Sequence, residues 1–226
     1  MAKWFTGLFE ADFTIPEDAG LAGTPFPPPL PGFTVAAATA VPGKVFDFQT
    51  IADPAATVRP VVSPNNYLAE VTALLKAATK SIYVQQQYVL AGDGVKDLVK
   101  ILSKKKADDP DFDVRVVSSA AFPENWAKTK ATLAAAGLLG ALKAINPKSF
   151  THCHNKGVIV DGRAVLVSST NWSANSITRA REAGVLVRSS KIAGYYQEVF
   201  LLDWDEGLRP DDVAAEVIEV DGADVA

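Results

Sequence analysis

Residues 151–182 read THCHNKGVIVDGRAVLVSSTNWSANSITRARE, and this stretch decides the fold. Two apolar runs, 157–160 and 164–167, have strand character, and Asp161-Gly162 between them is the dipeptide that a two-residue hairpin turn favours. Reading 155–160 as a strand places His154 and Lys156, two residues apart, on one face. The hairpin then returns residues 168–171 to the same locale. An imidazole, an ammonium, the Ser169 hydroxyl and the Asn171 carboxamide converge there, and the Glu182 carboxylate follows eleven residues beyond Asn171. These are the parts needed to hold a phosphodiester without a metal. Lys156 and Asn171 donate to non-bridging oxygens, while His154 attacks phosphorus or protonates a leaving oxygen.

Upstream, Leu68, Val71, Leu74, Leu75 and Ala78 recur at helical spacing behind Asn65 or Asn66 as the cap. The pattern then predicts a strand over 81–89, a helix over 95–102 and, after the charged turn 104–111, a strand over 112–117. A helix over 123–136 leads to the hairpin; a strand at 184–187 and a helix at 192–204 close the module. Strands alternating with helices, plus one hairpin, predict an α/β fold with a mixed β-sheet sandwiched by helices.

Proline marks the boundary of this module. Ten of the fourteen prolines lie in the first 64 residues, five of them within 25–31. Such a stretch neither holds a helix nor donates along its backbone, so 1–62 reads as an N-terminal helix and a proline-rich arm, 63–204 as the domain and 205–226 as an acidic tail. The net charge of -4 conceals a sharp division. Residues 1–62 carry three basic and six acidic groups, and 205–226 carry Arg209 against eight acids, which leaves the domain at +6. The total argues against a polyanionic partner; the domain alone does not.

Several classes are excluded early. Cys153 is the single cysteine, so there is no disulfide framework and no Cys-rich zinc site. His152 and His154 are the only histidines and lack a third nitrogen or sulfur ligand, so neither a metal nor a cofactor is expected. Cys153 alternates away from them, as a core thiol would. No run approaches 18 apolar residues, and Glu10 and Asp12 stand where a signal peptide needs an apolar stretch, so the chain as given reads as soluble, with its compartment left open: cytoplasmic, or exported if a signal lies upstream.

The run His154-Asn155-Lys156 through Asp161, then Ser168-Ser169-Thr170-Asn171 and Glu182, resembles the HKD motif of the phospholipase D superfamily. A bare H-x-K-x4-D arises by chance in roughly one chain in a hundred of this size; the added Ser, Asn and Glu make it specific. The resemblance extends over about 63–204, with one departure, Ser168 where the family usually has Gly. It implies a phospholipase D-like lobe and a two-step transfer through a phosphohistidine, with two such motifs meeting across a pseudo-twofold. One histidine is nucleophile and the other general acid. The catalytic set it implies is His154, Lys156, Asp161 and Glu182, with Lys156, Ser169 and Asn171 binding substrate and Glu182 orienting an imidazole. Asp161 has a second reading, as the residue that holds the hairpin. Trp172 beside Asn171 reads as packing, and Gln85 and Gln87 as the pair facing the site.

A single motif requires a second lobe, by homodimerisation or from a longer chain. Trp4-Phe5, Leu8-Phe9 and Asp12-Phe13 repeat the spacing of Tyr195-Tyr196, Val199-Phe200 and Asp203-Trp204, which suggests that the chain begins where a first lobe ends. The substrate implied is a phosphodiester: a phospholipid head group is favoured, with Phe122, Trp126 and 138–142 as an apolar rim. Nucleic acid is the alternative, which the +6 domain admits although no aromatic-interleaved basic stripe is present. A non-catalytic lobe that pairs with a partner is the third.

Overall fold

In a computed structural model of the chain, the described residues are 5–7 and 50–213. The chain divides into two compact units, 1–42 and 43–226. Of the first, only 5–7 are described, and they are helical. The rest of the N-terminal aromatic repeat, the proline-rich run and the tail beyond 213 lie outside the described residues.

In the second unit the strands are β1 (Thr57–Ser63), β2 (Ser81–Gln86), β3 (Asp113–Ser118), β4 (Leu142–Ala144), β5 (Lys156–Val160), β6 (Ala164–Ser168) and β7 (Glu182–Arg188). The helices are α1 (Tyr67–Ala77), α2 (Val95–Asp108), α3 (Pro123–Ala135), α4 (Ala174–Thr178) and α5 (Ser190–Glu206). The strands form one sheet in the order β1-β7-β6-β5-β2-β3-β4. β2, β3 and β4 run parallel, and every other neighbouring pair is antiparallel. This is the mixed α/β sandwich that the pattern predicts.

The sheet buries both faces. Ile82, Val84, Val158, Val160 and Leu166 meet the apolar sides of α1, α2 and α3, through Leu74, Leu98 and Leu133. The alternate positions Tyr83, Ile159 and Val165 meet α5 through Ala193 and Phe200, with Tyr83 and Phe200 stacked at 5.0 Å. Alternation therefore decides which side chains reach which layer.

Several boundaries differ from the sequence reading: α2 runs on to Asp108 through most of the stretch 104–111 read as a charged turn, and β2 ends at Gln86 and not at 89. The arm assigned to 1–62 gives up its last residues to β1, which pairs along its whole length with β7, Pro60 opposite Val185. An edge strand tolerates a proline that a central strand does not. The tail assigned to 205–226 begins inside the fold, since Leu208 bridges to Ala144 and Val213 is buried. Asn66 stands at the start of α1 but does not cap it. Its side chain turns back to β1, accepting from Val62 N at 2.7 Å and donating to Pro60 O at 3.2 Å.

Candidate active site

The end of β5 at Lys156 collects the chemistry. Because β5 lies antiparallel to β2 and β6, its first residue meets the last residues of both, with Gly157 opposite Gln85 and Lys156 opposite Ser168. β7 starts at the same edge, with Glu182 opposite Ser63 of β1. His154 precedes the strand, which begins at Lys156 rather than at 155. It is exposed, whereas Lys156 is 6% exposed.

Lys156 Nζ donates to the His154 carbonyl at 2.6 Å, so the lysine fixes the backbone that carries the imidazole. One donor is used, and an ammonium has three. Burial draws the Lys156 amine below its ordinary value, against the raising influence of Cys153 and Glu182. Burial, Lys156 and His152 together hold the His154 imidazole below the usual histidine value, so it is neutral at pH 7. The His152 ring stands edge-on to His154 at 5.7 Å and to Phe122 at 6.0 Å.

The turn after β6 supplies the amide. The Asn171 Oδ1 is buried without a hydrogen-bond partner, and rotating the carboxamide would exchange that acceptor for a donor. The turn itself is rigidly held. Trp172 N donates to Gln86 Oε1 at 3.0 Å, and the buried indole Nε1 donates to Tyr67 Oη at 3.1 Å. Ser169 Oγ donates to Glu182 Oε2, and Ala183 N donates back to Ser169 Oγ at 3.2 Å. Ser168 fits because its neighbour in register is Gly184. A Cβ at 184 would stand 2.7 Å from both Ser168 Cβ and the Val167 carbonyl. The glycine at this crossing lies on β7 instead of on β6.

Two expected placements change. Asp161 does not join the cluster. It lies at the other end of β5, five residues from Lys156 and about 17 Å along the strand at the usual rise. Its carboxylate accepts from the backbone N–H groups of Thr79, Lys80 and Ser81 and from the Thr79 hydroxyl, at 2.8–2.9 Å. With φ of 54° and 61°, Asp161 and Gly162 form the tight turn of the hairpin, so of its two readings the structural one fits the geometry. Glu182 is bonded to Ser169, and not to an imidazole as the resemblance implies.

Gln85 stays at the site: it accepts from Asn155 Nδ2 at 3.3 Å and lines the cavity beside His154 and Lys156. It donates to Asp203 Oδ2 of α5 at 2.7 Å, while the neighbouring Gln86 shares the layer of Ile82 and Val84 and holds the Trp172 turn. Period-two alternation puts Gln86 with those two residues and Gln85 on the opposite face. Of the apolar rim, Trp126, Leu138 and Leu142 are core residues, while Leu139 and Phe122 are exposed, Phe122 beside His152. Cys153 is buried in the α5 layer, and burial pushes its thiol up to about 12, which leaves it protonated and inert. On that side of β5, a cavity of about 460 Å³ opens by His154 and runs between Ile159, Val165 and Tyr196.

The same fold occurs in solved structures. Nuc, a phospholipase D family member from Salmonella typhimurium, superposes with a TM-score of 0.54 at 22% identity, over 67% of this chain and 96% of its own. NucT from Helicobacter pylori gives 0.54 at 12% identity, over 68% and 99%. Phosphatidylserine synthase from Haemophilus influenzae gives 0.56 at 18% identity, over 68% of this chain but only 38% of that enzyme. No curated protein matches significantly in sequence. The family described as "Cardiolipin synthase, PLD-like domain" matches residues 71–204, which run from α1 through the Lys156 cluster to the end of α5. A match over that span, on the fold that Nuc also has, makes this chain a member of the phospholipase D superfamily.

Proposed function

We propose that this chain supplies one half of a metal-independent phosphodiesterase site, with His154 as its reacting imidazole and a second lobe as the other half. The observation that carries the reading is the Lys156 ammonium, buried at the end of β5, bonded to the carbonyl of a neutral His154 and retaining donors for an incoming oxygen. A phosphate placed there receives charge from Lys156 and a hydrogen bond from the Asn171 amide. One imidazole attacks phosphorus and forms the N–P bond as the P–O bond to the leaving group breaks. The imidazole of the other lobe gives its proton to the leaving oxygen. It then takes a proton from the water or alcohol that attacks the phosphohistidine, and the first imidazole departs unchanged. The Ser169–Glu182 pair braces the turn that carries Asn171.

Among phosphodiesters we favour a phospholipid head group. Phe122 sets an exposed apolar ring beside His152, whose ring in turn meets His154, and the phosphatidylserine synthase named above has the same fold. Cleavage of nucleic acid is the second reading, favoured by the +6 charge of the domain.

The experiment is turnover in chelator of three substrates: bis(4-nitrophenyl) phosphate, short-chain phosphatidylglycerol and single-stranded DNA. Mass spectrometry of an acid-labile phosphate on His154 accompanies it. Turnover lost in His154→Ala supports the site, and the choice between lipid and DNA decides the substrate. A chain that turns over none of them and never carries the adduct is a pairing lobe, and the catalytic reading fails.

A further inference from the structure

The cavity at His154 is not the most capacious in the domain. A groove of about 650 Å³ runs between α2 and α3 on the outer surface of the helical layer. Its floor is aliphatic, built from Leu90, Val99, Ala131 and Ala135. Its rim is cationic, with Lys96 and Lys100 on α2 facing Lys128 on α3. Among the described residues no aromatic ring and no carboxylate lines it.

Two hydrogen bonds join the walls of the groove: Ala91 N donates to Thr132 Oγ1 at 3.1 Å, and Ser103 Oγ donates to Ala136 O at 2.7 Å. From Lys96 to Ser103, α2 advances about 10 Å, room for a segment of an extended hydrocarbon chain. Leu90 of the floor adjoins the turn that carries Asn171, because Leu90 N donates to the carbonyl of Trp172.

The lysines distinguish this groove from an accidental gap between helices. Lys96 and Lys100 stand four apart, where like charges repel, and neither has an ion-pair or hydrogen-bond partner among the described residues. On the facing wall Lys128 is paired with Glu124, and further along α2 Lys104 is paired with Asp108, so the uncompensated charge of the rim is that of Lys96 and Lys100. Two uncompensated ammonium groups above a strip of methyl groups match one kind of ligand, an anion joined to an aliphatic chain. A single-stranded nucleic acid has the charge but asks for rings or guanidinium planes on which bases stack, and the lining has neither.

We propose that the α2–α3 groove is a docking site for an anionic membrane phospholipid. One acyl chain lies on the Val99–Ala131–Ala135 floor, and the phosphate meets Lys96 and Lys100. The site is separate from His154 and does not depend on the catalytic reading. Its role is to seat the domain on an anionic bilayer.

The test is co-sedimentation of the whole chain with vesicles of phosphatidylcholine alone, and of phosphatidylcholine with roughly one-third phosphatidylglycerol. Wild type and His154→Ala bind the mixed vesicles equally and leave the neutral ones, so the result is independent of turnover. Lys96→Ala/Lys100→Ala weakens binding by roughly fivefold per lysine, or about 25-fold. Ala135→Trp fills the floor and keeps every charge; it weakens binding by about tenfold, with Ala131→Trp as the substitute if the first unfolds on a thermal melt. Equal binding to both vesicle types overturns the proposal. So does full binding by the filled groove, which leaves only surface charge, and so does capture of a single-stranded oligonucleotide through the same lysines while vesicles are ignored.

Discussion

The two ends of β5 belong to one short motif and do opposite things. At Asp161 every carboxylate oxygen is engaged: four donors from 79–81 converge on it, and a tight turn presents it to them. At Lys156 the polar groups are left wanting. An ammonium is buried on one hydrogen bond, and a buried amide oxygen has none. Satisfied polar groups stabilise a fold, while buried unsatisfied ones cost stability and persist where something else binds. Five residues thus separate a structural clamp from a candidate site whose buried polar groups are only partly bonded.

The largest expected effect breaks the site end alone. His154→Ala should lower turnover of an activated phosphodiester by about 10³-fold or more, equivalent to about 4 kcal/mol of barrier, while the melting midpoint stays where it was. A midpoint that falls along with the rate would show that the exposed imidazole holds the fold, and the contrast between the ends would disappear.

Gly184→Ala comes next and attacks the site end through its backbone. The added methyl meets the Val167 carbonyl and Ser168 Cβ at 2.7 Å, so we expect a loss of about 3 kcal/mol in urea unfolding. Adding Ser168→Gly should recover part of that loss and not all of it, since the carbonyl contact remains. Full recovery would locate the whole constraint in the Ser168 side chain.

Asp161→Ala should cost somewhat less, about 2 kcal/mol, because the orphaned N–H groups of 79–81 are close enough to solvent to find water. Activity per folded molecule should hold within about threefold, as expected of distant, independent positions. A collapse of turnover in fully folded Asp161→Ala would restore the carboxylate to the chemistry.

Much of this contrast was legible in the sequence, though not its spacing. The hairpin announces itself in Asp161-Gly162, but the strand periodicity read between His154 and Lys156 does not hold, because the strand begins at Lys156 and leaves His154 in the exposed segment before it. The H-x-K-x4-D spacing, however, groups Asp161 with the histidine, and only the strand rise separates them. β1 was hidden because Pro60 signals an arm, and an edge strand is the one place in a sheet where that signal misleads. β4 has three residues and no periodicity to read. Gln86, which holds the Trp172 turn, shares the face of Ile82 and Val84 and not that of Gln85 and Gln87, and nothing local in the sequence distinguishes the two faces. The compensation between Ser168 and Gly184 depends on register, which no local pattern carries.

The smallest effect separates the two ends by pH. Burial raises the Asp161 carboxyl, but the N–H groups of Ser81, Thr79 and Lys80 outweigh it and hold the group below its ordinary value. The unfolded chain therefore takes up that proton more readily. The stability that Asp161 supplies is complete above about pH 4 and fades as pH falls through the folded value. His154 is also depressed, by burial, Lys156 and His152, so its contribution is complete above about pH 6.5 and fades below that in the same direction. Urea midpoints should then show a gap between wild type and Asp161→Asn that is flat from pH 8 to about 5 and narrows only below about 4. The gap between wild type and His154→Ala should begin to change at higher pH, as pH falls below about 6.5. A gap for Asp161→Asn that stays flat to about pH 3 would mean the carboxylate gains nothing from its four donors, and the clamp would be a turn residue alone.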